Sequence, residues 1–401
     1  MTEQALQGLK VVELGQFISA PYCAKMMADL GAEVVKVEQP GSGDEARSYG
    51  PFPDDVPHPE RSGLFLYLNS SKLGITLDVE KATGRRLFLE LLREADVLVE
   101  NNPPRYMKAL GLDYPQVREI NPRLVMTSIS PYGQTGPYRD YKAYDLNIQA
   151  GGGLCNTVGN PDRRPLNFPI MQGYYQAALS GAAATMVALF AREATGLGQH
   201  VDISATQVCA AMHRAYTMPM AISKGTKQMR LGHHGQPGFW PYTVLPCKDG
   251  YMSMMTLEDY HWKTFAEAIG NPEWALAHDL PMERYEHKDE MDAYLIEWLM
   301  EHTKQEVFDL CFQRRIPFIP EYNIEDVIQS PQFEARQYFV EIEHPEAGVL
   351  TYPGAPAKLS KTPWRIGRPA PLLGEHNYVV YCKRLGYAGE DLVDLARAGV
   401  I

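Results

Sequence analysis

The sequence contains no uninterrupted apolar run of the roughly 18 residues that a membrane helix needs. Its opening, Met1-Thr2-Glu3-Gln4, is polar and acidic, so neither a secretory leader nor a membrane anchor is expected. Positive charge is in short supply: 38 Lys and Arg stand against 49 Asp and Glu, a net charge of −11. With no basic block or aromatic-basic motif to offset that balance, a nucleic-acid partner is excluded, and an anionic ligand would need a local basic cluster. The six cysteines (Cys23, Cys155, Cys209, Cys247, Cys311 and Cys382) are scattered, with no Cys-x-x-Cys. They predict reduced, mostly buried thiols in a cytoplasmic protein. His233-His234 is the one adjacent His pair. Sequence neighbours should point their rings apart, so no metal site is expected.

What is present reads as a soluble α/β protein, with 45% hydrophobic and 22% charged residues over 401 positions, long enough for two domains. Lys10 to Leu14 reads as a strand, Ala20 to Leu30 as a helix closed by Gly31, and Ala32 to Glu38 as a second strand. That spacing predicts a βαβ unit on a parallel sheet. The first turn, Leu14 to Pro21, lacks the G-x-G-x-x-G that a nucleotide pyrophosphate requires, so the sheet is Rossmann-like without being a dinucleotide site. Further strands are expected at Gly74–Asp78, Asp96–Glu100 and Leu124–Ile129, and helices at Lys81–Ala95 and Tyr144–Ala150. From Tyr174 to Arg192 a small-residue stretch (Ala177, Ala178, Gly181, Ala182, Ala183, Ala184) predicts a long buried helix. Thr195-Gly196-Leu197-Gly198 stops it ahead of a strand, Gln199–Ser204.

This helix and its exit, Ala191-Arg192-Glu193-x-Thr195-Gly196-x-Gly198-Gln199-x-Val201-Asp202-x-Ser204, are similar to the central signature of the class III coenzyme A transferases. The likeness extends through Met27–Glu38, Gly41-x-Gly43-Asp44-x-x-Arg47, Asp96–Asn101, Asn121-Pro122-Arg123, Gly133-x-x-Gly136-Pro137 and Gly374-Glu375-His376. It implies a large Rossmann-like domain (residues 1–224), a smaller α/β domain (225–335) and a C-terminal segment returning to the large one (336–401). It also implies two chains interlocked as a dimer or heteromer. The implied chemistry begins with an aspartate at the entrance of the small-residue helix, which attacks an acyl-CoA thioester and releases CoA thiolate.

Here the matching window, Ile170 to Gln176, holds no Asp or Glu: the nucleophile's place falls on Tyr174, or on Gln172 if the register slips. No catalytic residue is therefore assigned. The resemblance marks Lys72, Asn101, Lys142, Tyr144, Ile18 and Ser19 as coenzyme A contacts, with both lysines as mobile charges for phosphates. Ala109 and Ile18 depart from the family's residues there, and Arg105 and Lys108 stand near enough to compensate. Gly232 and Gly235 match an oxyanion-stabilising loop. Asp145 reads as structural. The expected function is a catalytically silent subunit partnered by an Asp-bearing homologue, as in the two-gene benzylsuccinate CoA-transferase. The alternatives are an active transferase using an unaligned carboxylate, and a scaffold with the fold alone. Phe17, Tyr175, Phe239, Trp240 and Tyr242 would suit an aromatic acyl group.

Overall fold

The computed structural model describes residues 4–212, 222–225, 230–235 and 238–401. Pro219, near which the first half of the chain is expected to close, and Gln236 and Pro237 of the glycine-containing loop expected at Gly232–Gly238 lie outside them. The chain divides into two units. One comprises Met1–Leu154, Asn167–Pro219 and Gln337–Ile401; the other comprises Cys155–Leu166 and Met220–Arg336.

The first unit is built on six parallel strands in the order β3-β2-β1-β4-β5-β6. They are β1 (Lys10–Leu14), β2 (Glu33–Glu38), β3 (Leu73–Thr76), β4 (Val97–Glu100), β5 (Val125–Ser130) and β6 (His200–Ser204). All of β3, β4 and β5 is buried, as continuous apolar runs between two helical layers should be. One layer holds α3 (Ala82–Arg93), α4 (Pro104–Leu110) and α5 (Tyr114–Ile120), whose Leu87, Phe88, Leu92, Met107 and Val117 pack on Val12, Val35, Leu98 and Met126. The other holds α1 (Ser19–Ala28), α7 (Gln172–Thr195) and α8 (Ala205–Ala211). α2 (Gly63–Asn69), α6 (Asp145–Gly151) and a C-terminal helix, Gly389–Arg397, also belong to this unit.

α7 is longer than expected and is buried on one side only. Ala177, Ala178, Gly181, Thr185 and Ala188 face the sheet and α1, and a Cβ on Gly181 would lie 2.9 Å from Ile129 Cδ1 and 3.4 Å from Cys23 Sγ. The small residues thus buy close approach to one neighbour, while Val187 and Phe190 on the opposite side are 69% and 82% exposed.

The Gly374-Glu375-His376-Asn377 motif opens no ordinary helix; it closes the sheet's free edge. His376 N donates to Gly74 O (2.9 Å), Gly74 N donates to His376 Nδ1 (3.1 Å), and Thr76 N donates to Asn377 Oδ1 (2.9 Å). The backbone groups β3 would leave unpaired are satisfied this way. A wide helical turn, Tyr378–Arg384, follows. An antiparallel hairpin, β10 (Phe339–His344) and β11 (Gly348–Pro353), also belongs to this unit.

The second unit carries the antiparallel sheet β7 (Tyr242–Cys247), β8 (Gly250–Met255) and β9 (Phe318–Pro320), covered by helices that include Asp259–Ala268 and Lys288–Met300. Its core is aromatic: Trp240, Trp262, Phe265 and Phe318 pack with Leu295 and Leu299. Cys155–Leu166 joins this unit because the Arg230 guanidinium donates to the carbonyls of Asn160, Pro161 and Arg163.

Candidate functional site

In a doubly wound sheet, ligands bind beyond the carboxyl ends of the strands where the chain order reverses. Here that point lies between β1 and β4. A 320 Å³ pocket occupies it, lined by Ile18, Ser19, Asn101, Ala143, Tyr144 and Tyr174, with Gln16, Glu45 and Tyr49 also on its wall. Four of the six expected coenzyme A residues are therefore gathered in one place.

The β1–α1 turn is shaped by its own partners. Gly15 has no room for a side chain: a Cβ would sit 2.3 Å from Ala20 Cβ and 2.9 Å from Asn101 Oδ1. The Asn101 amide clasps the turn, accepting from Gln16 N (2.9 Å) and donating to Gln16 O (2.8 Å) and Ser19 Oγ (3.0 Å). Its polar atoms hold the loop, which makes it a positioning residue. Phe17 adopts a positive φ of 66°, and its N–H donates to Asp44 Oδ1 (2.9 Å). Its ring then meets Tyr174 edge-on at 5.9 Å and Tyr49 at 4.7 Å.

Beneath the turn lies a web of buried charge. Glu13 and Lys36 are fully buried, and Lys36 Nζ meets Glu13 Oε1 (2.8 Å) and Asp44 Oδ2 (2.6 Å). Lys72, expected as a mobile phosphate contact, is instead fully buried. Its Nζ donates to Glu13 Oε2 (2.7 Å), Pro21 O (2.8 Å) and Asn69 Oδ1 (2.8 Å), which uses all three protons. Burial pulls its ammonium down to about 8 despite the neighbouring Glu13 carboxylate. Burial would also depress Lys36, but the Asp44 and Glu13 carboxylates raise it above its usual value. Lys142 is exposed and does not line the pocket. The nearby basic groups are Arg105, Lys108 and Arg139, which line a separate 240 Å³ cleft along α4.

The entrance of α7 forms the remaining wall. Ile170 and Met171 precede the helix with φ of 61° and 52°, a costly left-handed pair for side chains of this size. Gln172, Gly173 and Tyr174 make the first turn, and none carries a carboxylate. Asp145, from α6, reaches this turn: its Oδ1 accepts from Tyr174 N (3.3 Å) and its Oδ2 from Gln149 Nε2 (2.6 Å). A Cβ at 173 would stand 2.8 Å from Asp145 Oδ1, so the borrowed carboxylate fills the room a side chain there would use. Burial, reinforced by Asp145 and Glu45, pushes the Tyr174 phenol up to about 12 and keeps it protonated. Glu45 is the carboxylate the sequence reading overlooked; it lies exposed on the pocket wall, with only Tyr49 Oη at 3.5 Å. Its place two residues from Arg47 in the Gly41–Arg47 element was the available signal.

A second cavity of 490 Å³ shares Ile18 and Tyr49 with this pocket, and is otherwise lined by such residues as Leu66, Tyr67, Ile170 and Tyr175. Of the five residues expected around an aromatic acyl group, Tyr175 lines this cavity and Phe17 the polar pocket. Trp240 is instead fully buried in the core of the second unit.

Gly232 and Gly235 lie in the second unit. Gly235 is dictated by packing, since a Cβ would come within 2.5 Å of the Tyr242 ring. The rings of His233 and His234, expected to diverge, converge: their centroids are 4.1 Å apart, and their Nε2 atoms lie 3.1 and 3.3 Å from Asp292 Oδ2. The expectation failed because it considered the pair without the acid that faces it.

Among curated proteins, the chain is 32% identical to the succinate–glutarate CoA-transferase of Agrobacterium fabrum, over 92% of this chain and 93% of that one. It is 31% identical to subunit BbsE of the succinyl-CoA:(R)-benzylsuccinate CoA-transferase of Thauera aromatica, over 95% and 94%. A CAIB/BAIF family protein from Brucella suis superposes with a TM-score of 0.86 at 28% identity, over 95% of this chain and 99% of that one. The family model of the CoA-transferase family III matches residues 6–377, and the chain belongs to that family.

Proposed function

We propose that this chain is the catalytically silent subunit of a heteromeric acyl-CoA:carboxylate CoA-transferase, retaining the acyl-CoA pocket without the nucleophile. The observation that carries the reading is the first turn of α7, where a protonated phenol and an amide stand in place of an acid. Neither can form the exchangeable anhydride that CoA transfer requires. The Thauera relative is named as a subunit, which favours a heteromer. The exposed Val187 and Phe190 on α7 support a partner covering that face, either an Asp-bearing homologue interlocked with this chain or a second copy. The apolar 490 Å³ cavity beside the polar pocket suits a substrate with an aromatic or aliphatic body, such as benzylsuccinate. Domain limits near 225 and 335, a cytoplasmic location with free thiols, and Tyr144, Ser19 and Ile18 as coenzyme A contacts complete the reading. In it, Asn101 and Lys72 act by holding the β1–α1 turn and the charge beneath it.

A second reading rests on Glu45. It is the pocket carboxylate least committed to other partners, and its attack on the thioester carbonyl would form a glutamyl anhydride with release of CoA thiolate. One experiment separates the two. The chain is incubated with succinyl-CoA, trapped with hydroxylamine and mapped by peptide mass spectrometry. The silent reading expects no hydroxamate on any residue; a hydroxamate on Glu45 establishes the second reading and defeats the first.

A further inference from the structure

We infer that His233, His234 and Asp292 form a binding site for a divalent cation of the zinc class in the second unit. All three offer ligand atoms within 4.8 Å of one another, the one such group of three or more among the described residues. The separations suit coordination. An ion with bonds of about 2.0–2.1 Å in tetrahedral geometry places its ligand atoms about 3.3 Å apart. Here the His Nε2 atoms lie 3.1 and 3.3 Å from Asp292 Oδ2.

A simple hydrogen-bonded His–Asp pair accounts for only half of this arrangement. Asp292 Oδ1 accepts from Trp240 Nε1 (2.8 Å), and Oδ2 pairs with His233 Nε2. His234 is left over. Its side chain is 7% exposed, its Nε2 meets only Asp292 Oδ2 at 3.3 Å, and its Nδ1 has no partner. Buried polar atoms without partners are rare in folded proteins, and a bound ion is one of their recognised causes.

The framework is also fixed in advance. His234 bridges Thr243, Gly235 N donates to Tyr242 O (2.6 Å), and Asp292 stands on the helix Lys288–Met300, whose Leu295 and Leu299 are fully buried. Trp240, itself fully buried, orients the acid through the oxygen that faces away from the histidines. Access comes from the His233 side. That ring is half exposed and lines a 730 Å³ cleft with Arg163 and Arg164, so an anion could complete the ion's coordination there.

The test uses the full-length chain without a histidine tag, stripped by chelator and then titrated with ZnCl2 and separately with CoCl2. The expected result is one equivalent of zinc per chain and the intense visible spectrum of four-coordinate cobalt. His233→Ala and Asp292→Asn should each weaken zinc binding at least about tenfold. His233 is half exposed, so its variant keeps the fold, as circular dichroism will verify, and it decides the matter even if Asp292→Asn misfolds. The inference is overturned by the absence of saturable zinc uptake, by equal uptake in His233→Ala, or by a thiolate-to-cobalt band that places the ion on a cysteine.

Discussion

The two walls of the pocket are built on opposite plans. On the β1–β4 side, the key polar groups are spent on other parts of the chain: Asn101 on the turn, Asp44 on Phe17, Lys72 and Lys36 on Glu13. On the α7 side, the backbone is strained at Ile170 and Met171, and the first turn borrows its carboxylate from α6. One wall is held by side chains from several elements; the other is closed by a helix turn that carries no acid of its own. The first wall is therefore also part of what folds the sheet, whereas the second is free to vary with less cost to the fold.

The largest effect should come from breaking the buried web. Lys72→Met leaves Glu13 facing Lys36 alone in a fully buried site and should cost about 3–5 kcal/mol in a urea unfolding titration. A loss below about 1 kcal/mol would mean that the first wall is no more rigid than the second.

Glu100, at the end of β4, gives a smaller and pH-dependent test. Burial pushes its carboxyl up to about 7, against an ordinary value of about 4.3 in the unfolded chain. A raised acid favours the protonated folded form, so its contribution is intact below about pH 4.3 and is lost as pH rises through 7. Glu100→Gln should leave stability unchanged near pH 4 and raise it by about 2–4 kcal/mol at pH 8. A difference between variant and parent that stays flat across that range would refute the assignment.

The smallest effect belongs to the α7 wall. Tyr174→Phe removes a phenol to which no bonding role falls, and should shift stability by less than about 0.5 kcal/mol. It should also leave transfer by an assembled heteromer unchanged in a coupled CoA-exchange assay. Loss of transfer would show that the hydroxyl takes part after all.

Much of this was legible from the sequence, and the failures share a cause. The six strands and the glycine-stopped helix could be read because apolar runs and turn residues act over a few neighbouring positions. The roles of the polar residues could not. Lys72 reads as a surface charge until Glu13, 59 residues away, is placed against it, and the His pair reads as divergent until Asp292, 58 residues on from His234, is seen facing both rings. The exposed flank of α7 was missed because alanine suits close packing on one side as well as burial on all sides. The hairpin Phe339–Pro353 alternates buried and exposed side chains only weakly, so it left little periodic signal.

The signature after α7 has a mechanical explanation. Arg192 Nη2 lies 2.9 Å from Asp96 Oδ1, and its Nη1 donates to Arg123 O (3.1 Å). A Cβ on Gly198 would fall 2.0 Å from Leu124 O, and both oxygens of Asp202 accept from Gln134 N. These residues latch the last strand onto the sheet, and none of them lines the polar pocket. A genome survey that recognises transferases by this string is therefore counting closed sheets. Any chain that closes its sheet in this way will pass such a filter, whatever side chains its pocket carries.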